Sequence, residues 1–431
     1  MASPFEWYRQ ANARVRRVFW TCSAAWALDS MDALVYGFMI PALMTAFGMT
    51  LLEAQAVNTA NFVSAALGGW IGGLLCDRFG RARLLQFTIL WFSFFSFLSG
   101  FANSYEQLMI VRTLQGLGFG AEWAVGAVLL GEIIAPRHRG RAVGTVQSAA
   151  PIGTGAAALL AGPLVAALPA EYGWRVVFWV GVLPALLVFF VRRGDDDSEI
   201  YLQTRKRLAA EKRSVPVWAI FQPAVLRITL LTALLAIGIQ GAAYSVSNYL
   251  SVFLQQERGL SASVAGIYIL INSTGGFFGA QVNAYCSDRL GRRKMFRFFG
   301  MGFVAMASFY LLAPLGNSAW TLLPVGMVYG FFQFGLYASF GPYFTELFPT
   351  EIRGSGQSFA YNLGRAMSGL VFTMPVALIA QHYMVSISVG MLVMALSGIV
   401  LAIISVLMLP ETAGRDLREP LQPRSIDQGA D

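Results

Sequence analysis

The chain is a succession of apolar runs with its charges collected between them. Read with a window as long as a membrane-crossing helix, the runs fall at approximately 18–46, 54–76, 84–102, 106–133, 142–168, 174–191, 228–254, 262–286, 296–314, 319–347, 356–381 and 384–409. Only 13% of residues are Asp, Glu, Lys or Arg, whereas 56% are hydrophobic. That is more apolar surface than soluble cores of this size bury. The fold class that follows is all-α integral membrane, with twelve transmembrane helices, because a helix satisfies its own backbone in lipid.

A net charge of +8 suggests nucleic acid only in a soluble protein, so the position of the basic residues decides its meaning. With the N-terminus placed in the cytoplasm, 27 of the 31 Lys and Arg residues fall in inside segments. Arg175 and Arg258 fall outside, and Arg112 and Arg365 lie within spans. The bias predicts a multi-pass protein of the bacterial inner plasma membrane with both termini cytoplasmic, a lipid partner and no nucleic-acid partner. The first run follows a basic N-terminus but is too long for a signal peptide and contains Asp29 and Asp32, so it is read as a retained helix.

The absences are equally specific. Three scattered cysteines and two histidines, His138 and His382, supply neither a disulfide framework nor a metal site. There is no nucleotide-binding loop of the Gly-x-x-x-x-Gly-Lys type, so ATP is not the energy source and no cofactor is expected. Nothing resembles a nucleophile with its base, so the chain is not read as an enzyme.

Two motifs repeat with one period. Asp77-Arg78-Phe79-Gly80-Arg81 recurs as Asp288-Arg289-Leu290-Gly291-Arg292, and Glu132 through Pro136 to Arg139-Gly140 recurs as Glu346 through Pro349 to Arg353-Gly354. A shared period of half the chain predicts two six-helix halves of the same orientation. The division is residues 1–17 as cytoplasmic N-terminus, 18–191 as the first half, 192–227 as a charged linker, 228–409 as the second half and 410–431 as a cytoplasmic tail. The linker, with Asp195-Asp196-Asp197 and Arg205-Lys206-Arg207, reads as a solvated segment, part of it helical.

Gly73-x-x-x-Asp77-Arg78-x-Gly80-Arg81-x-Arg83 resembles the loop signature of the major facilitator superfamily, and its second copy has Ala284 for the leading Gly. Arg112-x-x-x-Gly116 is similar to that superfamily's fourth-helix motif. Trp7-Tyr8-Arg9, Leu28-Asp29-x-x-Asp32, Gly118-x-Gly120-Ala121-Glu122 and Tyr361-Asn362-x-Gly364-Arg365 resemble its proton symporters for sialic acid and monocarboxylates. The resemblance implies an alternating-access transporter in which both loop copies gate the inner side. Asp77, Arg81, Glu132, Arg139 and their counterparts Asp288, Arg292, Glu346 and Arg353 are the residues concerned. Asp77 is expected at a helix N-terminus, paired with Arg81 or Arg139.

Five charges lie well inside predicted spans, away from their ends: Asp29, Asp32, Arg112, Glu122 and Arg365. Each costs at least ~2.5–3.5 kcal/mol at bilayer mid-depth, which calls for a wet cavity or mutual pairing. Counted from span midpoints, Asp32 and Glu122 share a depth, with Asp29 one turn inward and Arg112 about 15 Å outward of Glu122. The acids are read as proton carriers, since no histidine lies within a span, or as permanent partners of arginine. Arg112 takes a coupling role beside the protonated acid or anchors an anion. Arg365, which has Ile152 at its repeat position, is a bidentate anchor for a carboxylate, or else it binds helix-terminal carbonyls or balances an acid. Gln240 and Tyr244, Gln333 and Tyr337, and Tyr361 with Asn362 are candidates to line the substrate path or to make interhelical bonds. The reading is a monomeric proton symporter of a small organic anion, a carboxylate such as sialic acid or a monocarboxylate. The alternative is a proton-coupled exporter of drugs or amphipathic compounds.

Overall fold

The computed structural model describes residues 6–157, 168–182, 197–211, 215, 216, 218–314 and 319–417, and the regular structure among them is helical. The first half holds α1 (Glu6–Gln10), α2 (Ala13–Phe47), α3 (Leu51–Phe79), α4 (Arg81–Ser99), α5 (Tyr105–Ile133), α6 (Arg139–Gln147) and α7 (Ala170–Val180). Between the halves lies α8 (Glu199–Ala210). The second half holds α9 (Pro223–Ser247), α10 (Ala262–Leu290), α11 (Arg292–Leu312), α12 (Ala319–Tyr337), α13 (Phe340–Leu347), α14 (Arg353–Met367), α15 (Met374–Tyr383) and α16 (Ile387–Met408).

Apart from the fifth and sixth, each apolar run coincides with one of these helices or helix pairs. α12 and α13 together form the tenth span, and a π-helical stretch, Ser368–Thr373, joins α14 to α15 in the eleventh. The far ends of predicted spans five and six lie outside the described residues, as do the predicted tail beyond Leu417 and residues 192–196, 212–214 and 217 of the linker. Among the described residues, eight helices are long and apolar enough to cross a membrane.

Local chemistry sets the helix ends. Thr50 and Glu53 form a reciprocal capping box at the start of α3, and the side chains of Asn12, Ser104, Ser198 and Ser261 cap α2, α5, α8 and α10. The outer helices are apolar outward. On α4, Phe87, Leu90 and Phe94 are exposed on one face, and on α16 Val393, Leu396, Val400, Ile404 and Leu407 are exposed at helical spacing. Stripes of this kind suit hydrocarbon rather than water. By contrast α5 is buried almost throughout from Gln115 to Glu132, and it meets α14 of the other half, where Asn362 Nδ2 donates to the Gly120 carbonyl at 2.8 Å.

Close backbone approach fixes each half internally. A Cβ on Gly120 would lie 1.7 Å from the Ala65 carbonyl oxygen, and one on Gly330 would lie 1.9 Å from that of Asn272. Small residues let helices pack this tightly in lipid, where burial of apolar surface gives no separate drive to associate. Gly330→Ala is therefore expected to force α10 and α12 apart and to lower the melting temperature of the detergent-purified protein by several degrees, overpacking typically costing ~1–3 kcal/mol. Gly266→Ala, at a position with open space around it, is the control and should melt as the native chain does.

Candidate functional site

The repeated motifs converge at one end of the bundle and form two matching clusters. In the first, the buried Glu132 accepts from Arg353 at 2.7 Å and from Arg81 at 3.4 Å, and Ser198 donates to its other oxygen. Arg81 also pairs with Asp77 at 3.2 Å and lies over the Tyr201 ring. In the second, the buried Glu346 accepts from Arg292 through both oxygens at 3.0 and 3.1 Å, from Arg139 at 3.1 Å and from Thr412 at 2.7 Å. Arg292 pairs with Asp288 at 2.9 Å. A carboxylate shared by two guanidiniums offsets the desolvation of all three groups, which is the condition for burying them.

These clusters join the halves. Asp77 accepts from the backbone N–H groups of Gly354 and Ser355 at the start of α14, at 3.0 and 2.7 Å. Asp288 accepts from those of Gly140 and Arg141 at the start of α6, at 2.7 and 2.9 Å. Each acid thus satisfies orphan donors at a helix N-terminus of the opposite half. Asp77 pairs with Arg81, as one expected option held; Arg139 instead belongs to the Glu346 cluster, because α6 starts beside the second copy of the loop.

A third repeated pair lies outside the two motifs. Asp197 accepts from the Ala82 N–H at 3.0 Å, and Glu411 accepts from the Arg292 and Arg293 N–H groups at 2.8 and 3.0 Å. The linker acid Asp197 is therefore not a freely solvated charge but the cap of α4. Gly80 and Gly291 turn the chain here with φ of 113° and 94°, and a Cβ at either would meet the capping carboxylate at 2.1 or 2.6 Å. Ser198 and Thr412 follow these acids and donate to the two glutamates, so the signal was an acid followed by a hydroxyl residue at one spacing, 197–198 and 411–412.

The middle of the bundle holds charges of another kind. Asp32 is fully engaged, accepting from Arg112 at 3.1 Å, Gln115 at 2.7 Å and Ser96 at 2.5 Å, with Arg112 over the Tyr36 ring. Asp29 is buried, and neither of its carboxylate oxygens has a hydrogen-bond partner; Glu122 Oε2 has none either. The charged neighbours of Asp29 are Glu122, Arg365 and Asp32. Arg365 lies over Phe119 at 4.5 Å and near the Tyr361 ring at 5.4 Å, with the Tyr244 hydroxyl as a further polar neighbour, and its Nε has no acceptor.

The depth expected for the acids needs correction. Cys22 meets Gly126, Trp26 meets Trp123, and Asp32 meets Arg112 and Gln115. In this register Glu122 lies level with Trp26, so Asp32 is about six residues, about 9 Å, further from the motif-bearing end. α2, which carries the first apolar run, starts at Ala13, five residues before that run, and this moves its midpoint toward Asp29. Asp29, Phe119 and Arg365 consequently share the central layer, and Asp32 with Arg112 forms the next one away from the motif-bearing end.

The neutral candidates divide. Gln240 Nε2 donates to the Tyr361 carbonyl at 2.7 Å, and Asn362 Nδ2 donates to the Ser358 and Gly120 carbonyls, so both amides serve helix contacts. Tyr244, Tyr337 and Tyr361 gather around Arg365. Gln333 is buried with its Oε1 unpartnered. Trp123, stacked on Tyr361 with ring centroids 4.0 Å apart, was not singled out by spacing. Beside Glu122 and Trp123 is a void of about 10 Å³, room for about one water.

Two repeated halves in lipid, clasped at one end by ion pairs and carrying unpaired charges at the centre, define a membrane transporter. The chain belongs to the Major Facilitator Superfamily, whose family model matches residues 22–373. It is 38% identical over 410 residues to a probable 4-methylmuconolactone transporter of Cupriavidus pinatubonensis, covering 95% of this chain and 94% of that one. It is 23% identical to the sialic acid transporter NanX of Escherichia coli, over 92% and 95% of the two chains. Its fold matches that of the proton:xylose symporter XylE bound to 6-bromo-6-deoxy-D-glucose with a TM-score of 0.77 at 18% identity, covering 94% of this chain and 98% of that one.

The buried Ser358 lies at the seam between halves, its Oγ 2.9 Å from where a Gly73 Cβ would stand. With the native cysteines replaced, Ser358→Cys is expected to react slowly with maleimide. Adding Asp288→Asn, which removes the charge that caps α6, should raise the labelling rate several-fold; an unchanged rate would mean that the seam does not depend on that cap.

Proposed function

We propose that this chain imports a small organic carboxylate together with a proton across the bacterial inner membrane, with both termini and the clasped end in the cytoplasm. The observation that carries the reading is the central layer: one guanidinium, Arg365, with buried acids Asp29 and Glu122 nearby and oxygens on both left without hydrogen bonds. A substrate carboxylate that takes the fork of Arg365 withdraws the positive charge that balances the acids. An acid left beside the new anion in a low-dielectric layer then favours its neutral form, so substrate and proton arrive together. Asp32, already held by Arg112, Gln115 and Ser96, serves in this scheme to fix Arg112, and the Glu132 and Glu346 clusters form the inner gate.

The relatives favour an organic acid over the exporter alternative. At 38% identity across nearly the whole chain, the 4-methylmuconolactone in the name of the Cupriavidus protein is the first ligand to test. In vesicles, an inwardly directed proton gradient should accelerate uptake of labelled 4-methylmuconolactone and a protonophore should abolish the acceleration. Uptake that follows sodium and ignores pH would reject the scheme.

Two substitutions separate its parts. Arg365→Lys keeps the charge but loses the fork, and is expected to weaken substrate binding at least tenfold in a protein that still purifies as a monomer. Glu122→Gln mimics the protonated acid, so it should retain binding and substrate exchange while failing to accumulate substrate against a gradient. Loss of exchange and of folded protein together in Glu122→Gln would instead mean that the acid is a fixed partner of arginine.

A further inference from the structure

We propose that Trp123 and Tyr361 are specificity-determining residues that clamp the substrate between their ring faces, selecting planar, unsaturated carboxylates over saturated ones. The inference rests on the carboxylate reading above and adds the part of the ligand that Arg365 does not touch. Trp123 lies on α5 and Tyr361 on α14, in opposite halves, and their rings stack at 4.0 Å with an interplanar angle of 26°. Both are buried, at 4% and 2% exposure.

Each ring is backed by another aromatic group of its own half. Trp26 lies 5.8 Å from Trp123, and Phe340 stands edge-on to Tyr361 at 5.8 Å. The backing holds each ring to its own half, so the two faces that meet are the ones that part when the halves part. The site charges sit one helical turn away: Arg365 follows Tyr361 by four residues on α14, and Phe119, whose ring carries the Arg365 guanidinium, precedes Trp123 by four on α5. A ligand whose carboxylate reaches Arg365 therefore has its body at the level of the stacked pair.

The two rings are buried and in face contact, so a ligand that lies between them has to part them. One further π layer needs the rings about 3.5–4 Å further apart, a small movement along the same seam. A flat unsaturated ring restores on each face the contact that the pair gives up. A puckered saturated ring needs a wider opening and restores none of it. Without ligand the pair closes on itself and seals the layer.

The test uses purified full-length protein and four ligands in a thermal-shift titration: 4-methylmuconolactone, its ring-saturated analogue, and the methyl ester of each. The native protein should bind the unsaturated acid at least tenfold more tightly than the saturated acid. Trp123→Leu and Tyr361→Leu should bring that ratio to about one while leaving the preference for acid over ester intact, and Trp123→Phe should keep most of the ratio. A native ratio near one, which needs no variant to measure, overturns the clamp, as does a ratio unchanged in a folded leucine variant. Esters binding as well as acids, with the preference for the unsaturated ring preserved, would overturn the carboxylate reading and leave the clamp standing. No binding by any of the four overturns both.

Discussion

Glu132 and Glu346 are each buried and each bound by two arginines, one from each half of the molecule. A carboxylate in that setting is tolerable only while both guanidiniums are in reach, since removing a partner from a buried pair costs about 3–5 kcal/mol. The rest of the clasped end follows from this need. Arg139 and Arg353 must enter from α6 and α14, and the first turns of those helices then lie where Asp288 and Asp77 can accept their free N–H groups. Asp197 and Glu411 do the same for α4 and α11, and in doing so tie the linker and the chain beyond α16 to the clasp.

The central layer is built the opposite way. At the clasped end Asp77, Glu132, Asp288 and Glu346 all have donors, whereas Asp29 accepts nothing and Arg365 retains an unpaired Nε. Such groups are costly in hydrocarbon unless they are used. Asp32 shows that the fold can satisfy a mid-membrane acid when its surroundings are rigid, with three donors from α4 and α5 of its own half. The unsatisfied groups face the seam between halves, where any fixed partner would have to move.

The sequence carried the helices and the repeat because both are periodic along one chain. Where the residues are described, the apolar runs locate the helices to within a few residues, and Asp77-Arg78-x-Gly80-Arg81 with its copy points to the loops that meet. Registry between helices is not periodic in one chain: run midpoints place Asp32 level with Glu122, whereas a five-residue extension of α2 past its apolar run brings Asp29 into the Arg365 layer instead. Asp197 and Glu411 escaped notice because they are different residue types in segments that read as mere solvated charge. Trp123 and Tyr361 look like ordinary span aromatics until two helices from opposite halves are brought face to face.

A clasp of ions is suited to a seam that has to open. An apolar seam of the same area loses about 25 cal/mol for every Å² that water reaches, with nothing regained. When Glu346 and Arg139 separate, the Coulomb attraction is lost but water restores the hydration that burial removed, and the two large terms nearly cancel. The same holds for Asp77 leaving the N-terminus of α14, whose N–H groups find water as readily as they found the carboxylate. The closed form is thus held in register by directional bonds without being held deeply. A ligand that prefers one arrangement of such a seam then needs to supply only a small differential in free energy to shift it.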